Sequence, residues 1–161
     1  MAGALTLRVI TPDRIALDQS VASVRLPALD GSIGVLPRHA PMIAALDAGL
    51  LRYRTESGGP ESALFVAGGF AEMRGETLRV VSEAGEKPEE IDEERAREAE
   101  KRARERLSVK PGEGETIDLL RAEASLRRSL MRLAAREYRN ACASIARSGG
   151  GTGDLAPRDH S

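Results

Sequence analysis

One short motif in this sequence carries residues that could bind a nucleotide, and it occurs twice. The segment Ile91-Asp92-Glu93-Glu94-Arg95-Ala96 is echoed by Ile117-Asp118-Leu119-Leu120-Arg121-Ala122. An aspartate can accept hydrogen bonds from an adenine or ribose, and an arginine can hold a phosphate. The same spacing suits the start of a helix, where an acidic residue favours the dipole and an i,i+3 Asp–Arg pair adds about a few tenths of a kcal/mol. Both interpretations stay open.

Arginines recur along the segment 116–147, which has seven basic and three acidic residues and therefore a net charge of +4. Five of them follow spacings of 7, 4, 4 and 3, which predicts a stripe on one side of a helix: Arg121, Arg128, Arg132, Arg136 and Arg139. The stripe is either a solvated face or a docking surface for an acidic partner or a phosphorylated ligand.

The sequence gives little support for a metal site, a catalytic triad or an acid/base pair. The single cysteine, Cys142, excludes an internal disulfide and a cysteine-built zinc site, while His39 and His160 offer no partner set for a metal or a Ser/His/Asp triad. Five carboxylates within 89–94 are more typical of a solvated face than of an acid/base pair. We expect no catalytic residues and no metal site in this chain, and hence a protein that is not an enzyme by itself.

The amino-acid composition excludes further classes of protein. The 161 residues include 24 Lys plus Arg against 25 Asp plus Glu, and only four aromatic side chains, two Tyr and two Phe. A net charge of −1 gives no electrostatic reason to expect nucleic acid or anionic lipid. No apolar run approaches the roughly 20 residues that span a bilayer, and the start of the chain lacks the features of a secretion signal. We expect an intracellular protein that acts through its surfaces.

The elements that position these residues change type near Lys87-Pro88. Before that point, short apolar runs alternate with Gly, Pro and Asp turns, including turns expected at 47–49 and 68–69, which predicts an antiparallel β-sandwich over residues 1–86. The runs are Leu5–Ile10, Val21–Leu26, Ile33–Leu36, Met42–Leu46, Leu50–Arg54, Ala63–Ala67, Phe70–Met73 and Leu78–Val81.

Residues 87–147 predict an antiparallel α-helical hairpin, so the fold class is α+β. One helix is expected over Glu89–Leu107 with small residues on one face, and a second over Ile117–Arg147 with Thr116 as N-cap. Pro111, Gly112 and Gly114 break the helices between them, and residues 148–161 form a Gly-rich flexible, disordered tail. The second helix has an apolar stripe of Leu119, Ala122, Leu126, Leu130, Leu133, Ala134, Tyr138, Ala141 and Ile145.

Two segments in the first half and one in the second helix resemble a known family in combination. They are Leu29-Asp30-Gly31-Ser32-Ile33-Gly34-Val35-Leu36-Pro37-Arg38-His39-Ala40-Pro41, Val66-Ala67-Gly68-Gly69-Phe70-Ala71-Glu72-Met73 and Asp118-x-x-Arg121-Ala122-Glu123. From Leu5 to Tyr138 the chain closely resembles the epsilon subunit of bacterial F-type ATP synthase. The resemblance implies a non-catalytic subunit of the central rotor stalk.

Further expectations follow from this resemblance. The sandwich would bind the gamma subunit and rest on the c-subunit ring, with Asp30, Gly31, Ile33, Arg38 and His39 at the rotor interface. Rotation would couple ion translocation, with protons as the expected ion, to ATP synthesis. The hairpin would restrain ATP hydrolysis by extending into the alpha/beta catalytic head, where the arginine stripe would meet an acidic segment. The expected location is the cytoplasmic face of the bacterial inner membrane, peripherally and through the complex alone.

Some members of the family bind ATP at the folded hairpin as a regulatory ligand, and no cofactor is required. The positions that match are Glu86, Ile91, Asp92, Arg95, Ala96, Arg102, Arg128 and Arg132. Glu93 and Glu94 would repel a polyphosphate if they pointed toward it. Two alternatives stay open beside the rotor subunit: an ATP sensor whose main output is hairpin folding, and an adaptor that places its arginines on nucleic acid.

Overall fold

The computed structural model describes residues 4–109 and 116–148, with the side chains of 116–117 and 142–148 left out. Eight strands come first: β1 (Leu5–Ile10), β2 (Ile15–Val21), β3 (Ser23–Ala28), β4 (Gly31–Val35), β5 (Met42–Arg54), β6 (Glu61–Arg74), β7 (Thr77–Val81) and β8 (Gly85–Glu86). A 3₁₀ turn (Pro88–Glu90) leads to α1 (Glu93–Ser108) and α2 (Thr116–Ser148). The link at 110–115, the tail after Ser148, the Thr116 cap and the side chains of Cys142 and Ile145 lie outside the described residues.

The strands form one hydrogen-bonded sheet that folds over on itself as a sandwich, in the order β2-β1-β7-β6-β5-β3-β4, with β8 on β6. Its core is built from alternate aliphatic side chains of strands on both halves, and Leu7, Leu26, Leu51 and Leu78 have no exposed surface. The predicted fold class is confirmed. One pairing departs from the antiparallel pattern, since β1 and β7 run parallel.

The turns predicted at 47–49 and 68–69 are wrong, because β5 and β6 are single long strands that keep one register from Met42↔Met73 to Arg54↔Glu61, with an interruption at Asp47 and Gly68. The side chains nevertheless change faces between the two ends of the β5–β6 pair. On β6, Leu64 and Val66 point into the core, and so do Ala71 and Met73, although strict alternation would turn one pair outward. Gly68 and Gly69, with φ of 94° and 101°, make this change of face.

Strand β2 was missed from the sequence. Its core residues Ala16, Leu17 and Val21 are buried, but the polar Asp18, Gln19 and Ser20 interrupt the apolar run. β2 pairs with β1 from Leu5↔Val21 to Ile10↔Ile15. The partner strand therefore fixes an element that its own residues signal only weakly.

The first helix begins later than predicted. Pro88–Glu90 forms a 3₁₀ turn, Ile91 is extended, and α1 starts only at Glu93. Asp92 is the N-cap, and its carboxylate accepts a hydrogen bond from the backbone N of Arg95 at 3.0 Å. The two helices then pack together along small residues, with Ala96, Ala103 and Ala122 buried. This is the predicted hairpin and its alanine seam.

Helix α2 lies against the sheet as well as against α1, and its buried side is narrower than the predicted apolar stripe. Leu126, Leu130 and Leu133 are only half-buried, whereas Ser129 and Ala135 are almost fully covered. The Ser129 hydroxyl donates to the carbonyl of Leu126 at 2.8 Å, which satisfies it inside the helix. Small residues allow α2 to approach two neighbours at once.

Candidate functional site

The hairpin docks on the outer face of β5 and β6 through a small apolar cluster. Phe65 and Ala135 have no exposed surface, and Ile91 is 4% exposed. Half-buried residues from both domains complete the cluster: Leu50, Ala67, Ala84 and Met131. Phe65 faces outward because its neighbours Leu64 and Val66 point into the sandwich core and side chains alternate along a strand. The cluster is small beside the sandwich core, so the docking gains limited free energy from apolar burial.

A bidentate ion pair closes this contact. Arg132 of α2 donates to Glu86 of β8 through Nη2 at 2.7 Å and Nε at 3.0 Å, and both side chains are less than one-third exposed. The same guanidinium lies over the ring of Phe65, 4.7 Å from the centroid. Arg132 therefore joins the apolar cluster, the edge of the sheet and the helix in one arrangement. Both members of the pair belong to the predicted nucleotide-binding set.

The connection between sandwich and hairpin is tied down at the 3₁₀ turn. Arg14, in the β1–β2 turn, donates to both carboxylate oxygens of Glu90 at 2.8 Å, and the backbone N of Lys87 donates to Glu90 at the same distance. Arg136 of α2 donates to the carbonyl of Pro88 at 3.2 Å. The hydrogen bonds from Arg14 and from the Lys87 backbone lower the pKa of Glu90 to about 2.

We expect an Arg14→Gln variant to lose stability at neutral pH and to lose less of it in acid. Because the pKa of Glu90 is lower in the folded than in the unfolded chain, the ionised carboxylate stabilises the fold above about pH 4.5, and this contribution disappears as the pH falls toward 2. Urea unfolding at pH 7, 4 and 2.5 would show the difference from the parent protein narrowing with acidity. The difference is small because Arg14 is exposed. A difference that does not change with pH would contradict the assignment.

Two further polar contacts hold α2 along its length. Arg127 forms an ion pair with Asp47, in the first half of β5, at 2.8 Å. Near the other end of the helix, the Tyr138 hydroxyl donates to Glu61 at 2.5 Å. With Arg132–Glu86 between them, these contacts fix the helix at three points against the sheet.

The structure separates the predicted nucleotide-binding residues into four groups. Ile91 and Ala96 are buried as packing residues, Asp92 caps α1, and Glu86 is already paired with Arg132. The guanidinium groups of the other three residues reach the surface: Arg95, Arg102 and Arg128. Of these, Arg102 lies 3.5 Å from Glu98.

The acidic residues in the two copies of the hexapeptide have different structural environments. Glu93 accepts from Arg97 at 2.6 Å, and this hydrogen bond, helped by the charge of Arg136, lowers the pKa of Glu93. Asp118 lies inside the first turn of α2, 3.8 Å from Arg121, rather than at an N-cap as Asp92 does. The repeat in sequence is therefore not a repeat in structure.

The five arginines predicted as one stripe do not share one environment. Arg121 and Arg139 are exposed and Arg128 is half-buried, whereas Arg132 and Arg136 contact the sandwich and the 3₁₀ turn. In the compact arrangement, Arg132 and Arg136 are therefore already engaged outside α2, by Glu86 and by the carbonyl of Pro88.

The predicted rotor-interface residues lie on β4, the last strand in the sheet order, and in the segments that flank it. Asp30 lies in the β3–β4 turn, Gly31 begins β4 with a φ of 139°, and Ile33 packs partly against the core. In the loop after β4, Arg38 has a φ of 63°, and Nδ1 of His39 lies 2.8 Å from the carbonyl oxygen of Ala40. Leu36, next to them, is 62% exposed.

Sequence reasoning missed an exposed apolar row that crosses the outer face of the sheet. Register places its members side by side on neighbouring strands: Ile15, Ile10, Val81, Phe70 and Ala45, with Leu29 hydrogen-bonded to Ala45. Ile15, Phe70 and Leu29 are 57%, 44% and 65% exposed, and Ile43, two residues before Ala45, is 77% exposed. We call these seven residues the apolar row. Contiguous exposed apolar surface of this kind marks an interaction site.

Family profiles cover both parts of the chain. The profile described as the beta-sandwich domain of the ATP synthase Delta/Epsilon chain matches residues 4–88, and the one described as its long alpha-helix domain matches residues 89–137. The chain belongs to the ATP synthase delta/epsilon family. The resemblance seen in the residues is confirmed, and the change of profile falls within the 3₁₀ turn that separates sandwich and hairpin.

Individual members of the delta/epsilon family agree with this assignment. The ATP synthase epsilon chain of Nitratidesulfovibrio vulgaris strain DP4 is 40% identical over 137 residues, which are 84% of this chain and 98% of the relative. That of Carboxydothermus hydrogenoformans is 45% identical over 108 residues, 67% of this chain and 79% of the relative. The long matched share shows that sandwich and hairpin belong together in the family.

Solved structures of the family share the fold. A chain in the cryo-EM structure of the Euglena gracilis mitochondrial ATP synthase OSCP/F1/c-ring has a TM-score of 0.70 and 23% identity, with 84% of this chain and 82% of that chain covered. A chain from the Tetrahymena thermophila central stalk and c-ring has a TM-score of 0.53 at 12% identity, with 82% and 96% covered. Neither helix is long and apolar enough to cross a membrane within the described residues.

Proposed function

We propose that this chain is the epsilon-type subunit of the central rotor stalk of a bacterial F-type ATP synthase. It transmits rotation driven by ion translocation, with protons as the expected ion, and has no catalytic residues of its own. The observation that carries the proposal is the apolar row, which is exposed apolar surface on a part of the sheet outside the cluster that the hairpin covers. A subunit held between the gamma subunit and the c-subunit ring needs such a surface. Membrane association then arises through the complex.

The proposal predicts that Phe70→Ser weakens binding to the gamma subunit about tenfold, because an exposed aromatic ring in the centre of an apolar interface is lost. Phe70 is 44% exposed, so the substitution should leave the free energy of unfolding nearly unchanged. Binding of purified gamma subunit to the immobilised protein would measure the effect. Leu120→Ser is the matched control, since Leu120 is 61% exposed on α2 and lies outside the apolar row. Equal affinities for the two variants would contradict the proposed interface.

The hairpin is proposed to restrain ATP hydrolysis by leaving the sandwich and extending into the alpha/beta catalytic head. Its docking rests on a small apolar cluster and a few polar contacts, so the compact and extended arrangements differ by only a few kcal/mol. Extension would release Arg132 and Arg136, and these would join Arg121, Arg128 and Arg139 as a continuous basic face for an acidic segment of the head.

ATP is proposed as a regulatory ligand that stabilises the compact hairpin. Arg95, Arg102 and Arg128 are near the surface, where they could turn toward a phosphate, although Arg102 would have to leave Glu98. Glu93 is neutralised by Arg97. Asp92 and Arg132 would have to exchange their present partners for the nucleotide. An ATP sensor whose main output is hairpin folding is the alternative reading of the same residues.

We expect Arg128→Ala to weaken ATP binding about tenfold, because a charge-assisted contact to phosphate is lost. Calorimetric titration of ATP into the purified protein would measure it, with Arg139→Ala on the same helix as the control. Loss of binding with assembly intact would establish ATP sensing as a separate property. Absence of binding by the parent protein at millimolar ATP would remove the regulatory ligand and leave the rotor assignment standing.

A further inference from the structure

A second set of arginines lies on the sheet, away from both the apolar row and the predicted nucleotide-binding residues. Arg25 of β3 and Arg52 of β5 are directly opposite each other, and Arg54, two residues further along β5, faces the same side opposite Ser23. Residues directly opposite on neighbouring strands have Cβ atoms about 5 Å apart. The three guanidinium groups therefore project from one small area of the sheet, which we call the arginine groove.

The positive charge in the arginine groove is only partly balanced. Glu61 is opposite Arg54 on β6, and its carboxylate lies 3.5 Å from that guanidinium while it also accepts from Tyr138. Arg52 lies over the Tyr138 ring, 5.3 Å from the centroid. Within residues 4–109 and 116–148, Arg25 forms no ion pair with a carboxylate. Two like charges directly opposite each other destabilise a sheet unless an anion lies between them.

Space for such an anion is present. The arginines line an open cavity of about 500 Å³, together with the small residues Ser23, Ser57 and Gly58. The carboxylate of Glu61 also lines it, but Arg54 and Tyr138 already engage this carboxylate. Gly34, which pairs with Arg25 from the other side, has no atom within 4 Å of the position where a Cβ would lie. The serine hydroxyls add neutral donors to the guanidinium forks. Positive charge, hydrogen-bond donors and an open cavity are thus found together at one place on the sheet.

We propose that the arginine groove binds a phosphate oxyanion. Planar guanidinium forks form paired hydrogen bonds with phosphate oxygens, and two of them on opposite strands can hold one phosphate from both sides. The phosphate belongs either to a free ion, such as inorganic phosphate or pyrophosphate, or to an anionic lipid headgroup. This site is independent of the ATP site proposed for the hairpin, since none of the hairpin arginines lines the cavity.

Calorimetric titration of pyrophosphate into the full chain tests the site, carried out in an Arg128→Ala background so that the hairpin does not contribute. We expect Arg25→Gln to weaken pyrophosphate binding about tenfold, because one charge-assisted fork is lost. Arg74→Gln is the matched control: it removes the same charge from an exposed position on β6 outside the groove. Gly34→Leu gives a second variant that keeps every charge and fills the open space beside Arg25, and it should also weaken binding.

The outcomes separate the source of the phosphate from the existence of the site. Co-sedimentation with phosphatidylglycerol vesicles that depends on Arg25, without pyrophosphate binding, would assign the site to a lipid headgroup. Pyrophosphate binding that depends on Arg25 would assign it to a free ion. Equal weakening by Arg25→Gln and Arg74→Gln would mean a general charge effect and would overturn the proposal. Absence of binding to both probes would overturn it as well, while the rotor assignment would be unaffected.

Discussion

Replacing Gly69 by alanine is expected to destabilise the protein by at least about 4 kcal/mol or to prevent folding. Gly69 has a φ of 101°, which side-chain-bearing residues rarely adopt. A Cβ at this position would overlap the carbonyl oxygen of Val81 on the neighbouring strand, which is backbone and cannot move without breaking the sheet. The strain falls where β6 turns its side chains from one face of the sheet to the other, so both the core and the apolar row depend on it.

Two other glycines provide matched controls for Gly69→Ala. Gly75→Ala, with a φ of 61° but open space around it, should cost about 1 kcal/mol from backbone strain alone. Gly34→Ala has neither a positive φ nor a close neighbour and should be nearly neutral. Denaturant unfolding monitored by circular dichroism, together with soluble yield, would rank the three. Equal stability of Gly69→Ala and Gly75→Ala would show that the close approach to Val81 is not a constraint.

Replacing Arg132 by alanine is expected to loosen the hairpin by about 2 kcal/mol, which is a loss of about 30-fold in protection from hydrogen exchange along α2. The substitution leaves the carboxylate of Glu86, 26% exposed, without its ion-pair partner and uncovers the ring of Phe65. The sandwich core lies on the other side of the sheet and should keep its protection. Hydrogen exchange followed by mass spectrometry would distinguish the two domains.

Arg121→Ala is the control for Arg132→Ala, because Arg121 is on the same helix but its side chain is 78% exposed and its contact with Asp118 is long. It should change protection very little. Arg132→Lys should restore part of the effect, since a lysine keeps the charge and loses the fork. If the hairpin restrains hydrolysis by extending, Arg132→Ala should also favour inhibition in the assembled enzyme. Equal protection in the Arg132 and Arg121 variants would contradict the role given to this ion pair.

The candidate site shows where sequence patterns become insufficient. The predicted nucleotide-binding set follows from the resemblance to the family. In the folded chain Asp92 caps a helix, Ala96 is packed between helices and Arg132 is held by Glu86. Helix capping was visible in the sequence as an alternative because it depends on neighbours three residues away. The Arg132–Glu86 pair joins residues 46 positions apart, and no local pattern indicates it.

Local chemistry by itself determined the order of the elements: a strand-rich first half, the break at Pro88, two helices and the alanine seam between them. These features depend on interactions within a few residues, so periodicity and turn residues reveal them. Only the tertiary structure decided that β5 and β6 continue through their expected turns, that Phe65 and Phe70 face outward, and that the arginine stripe is divided. Strand pairing and helix docking join residues far apart in sequence, and they decide which side of each element is covered.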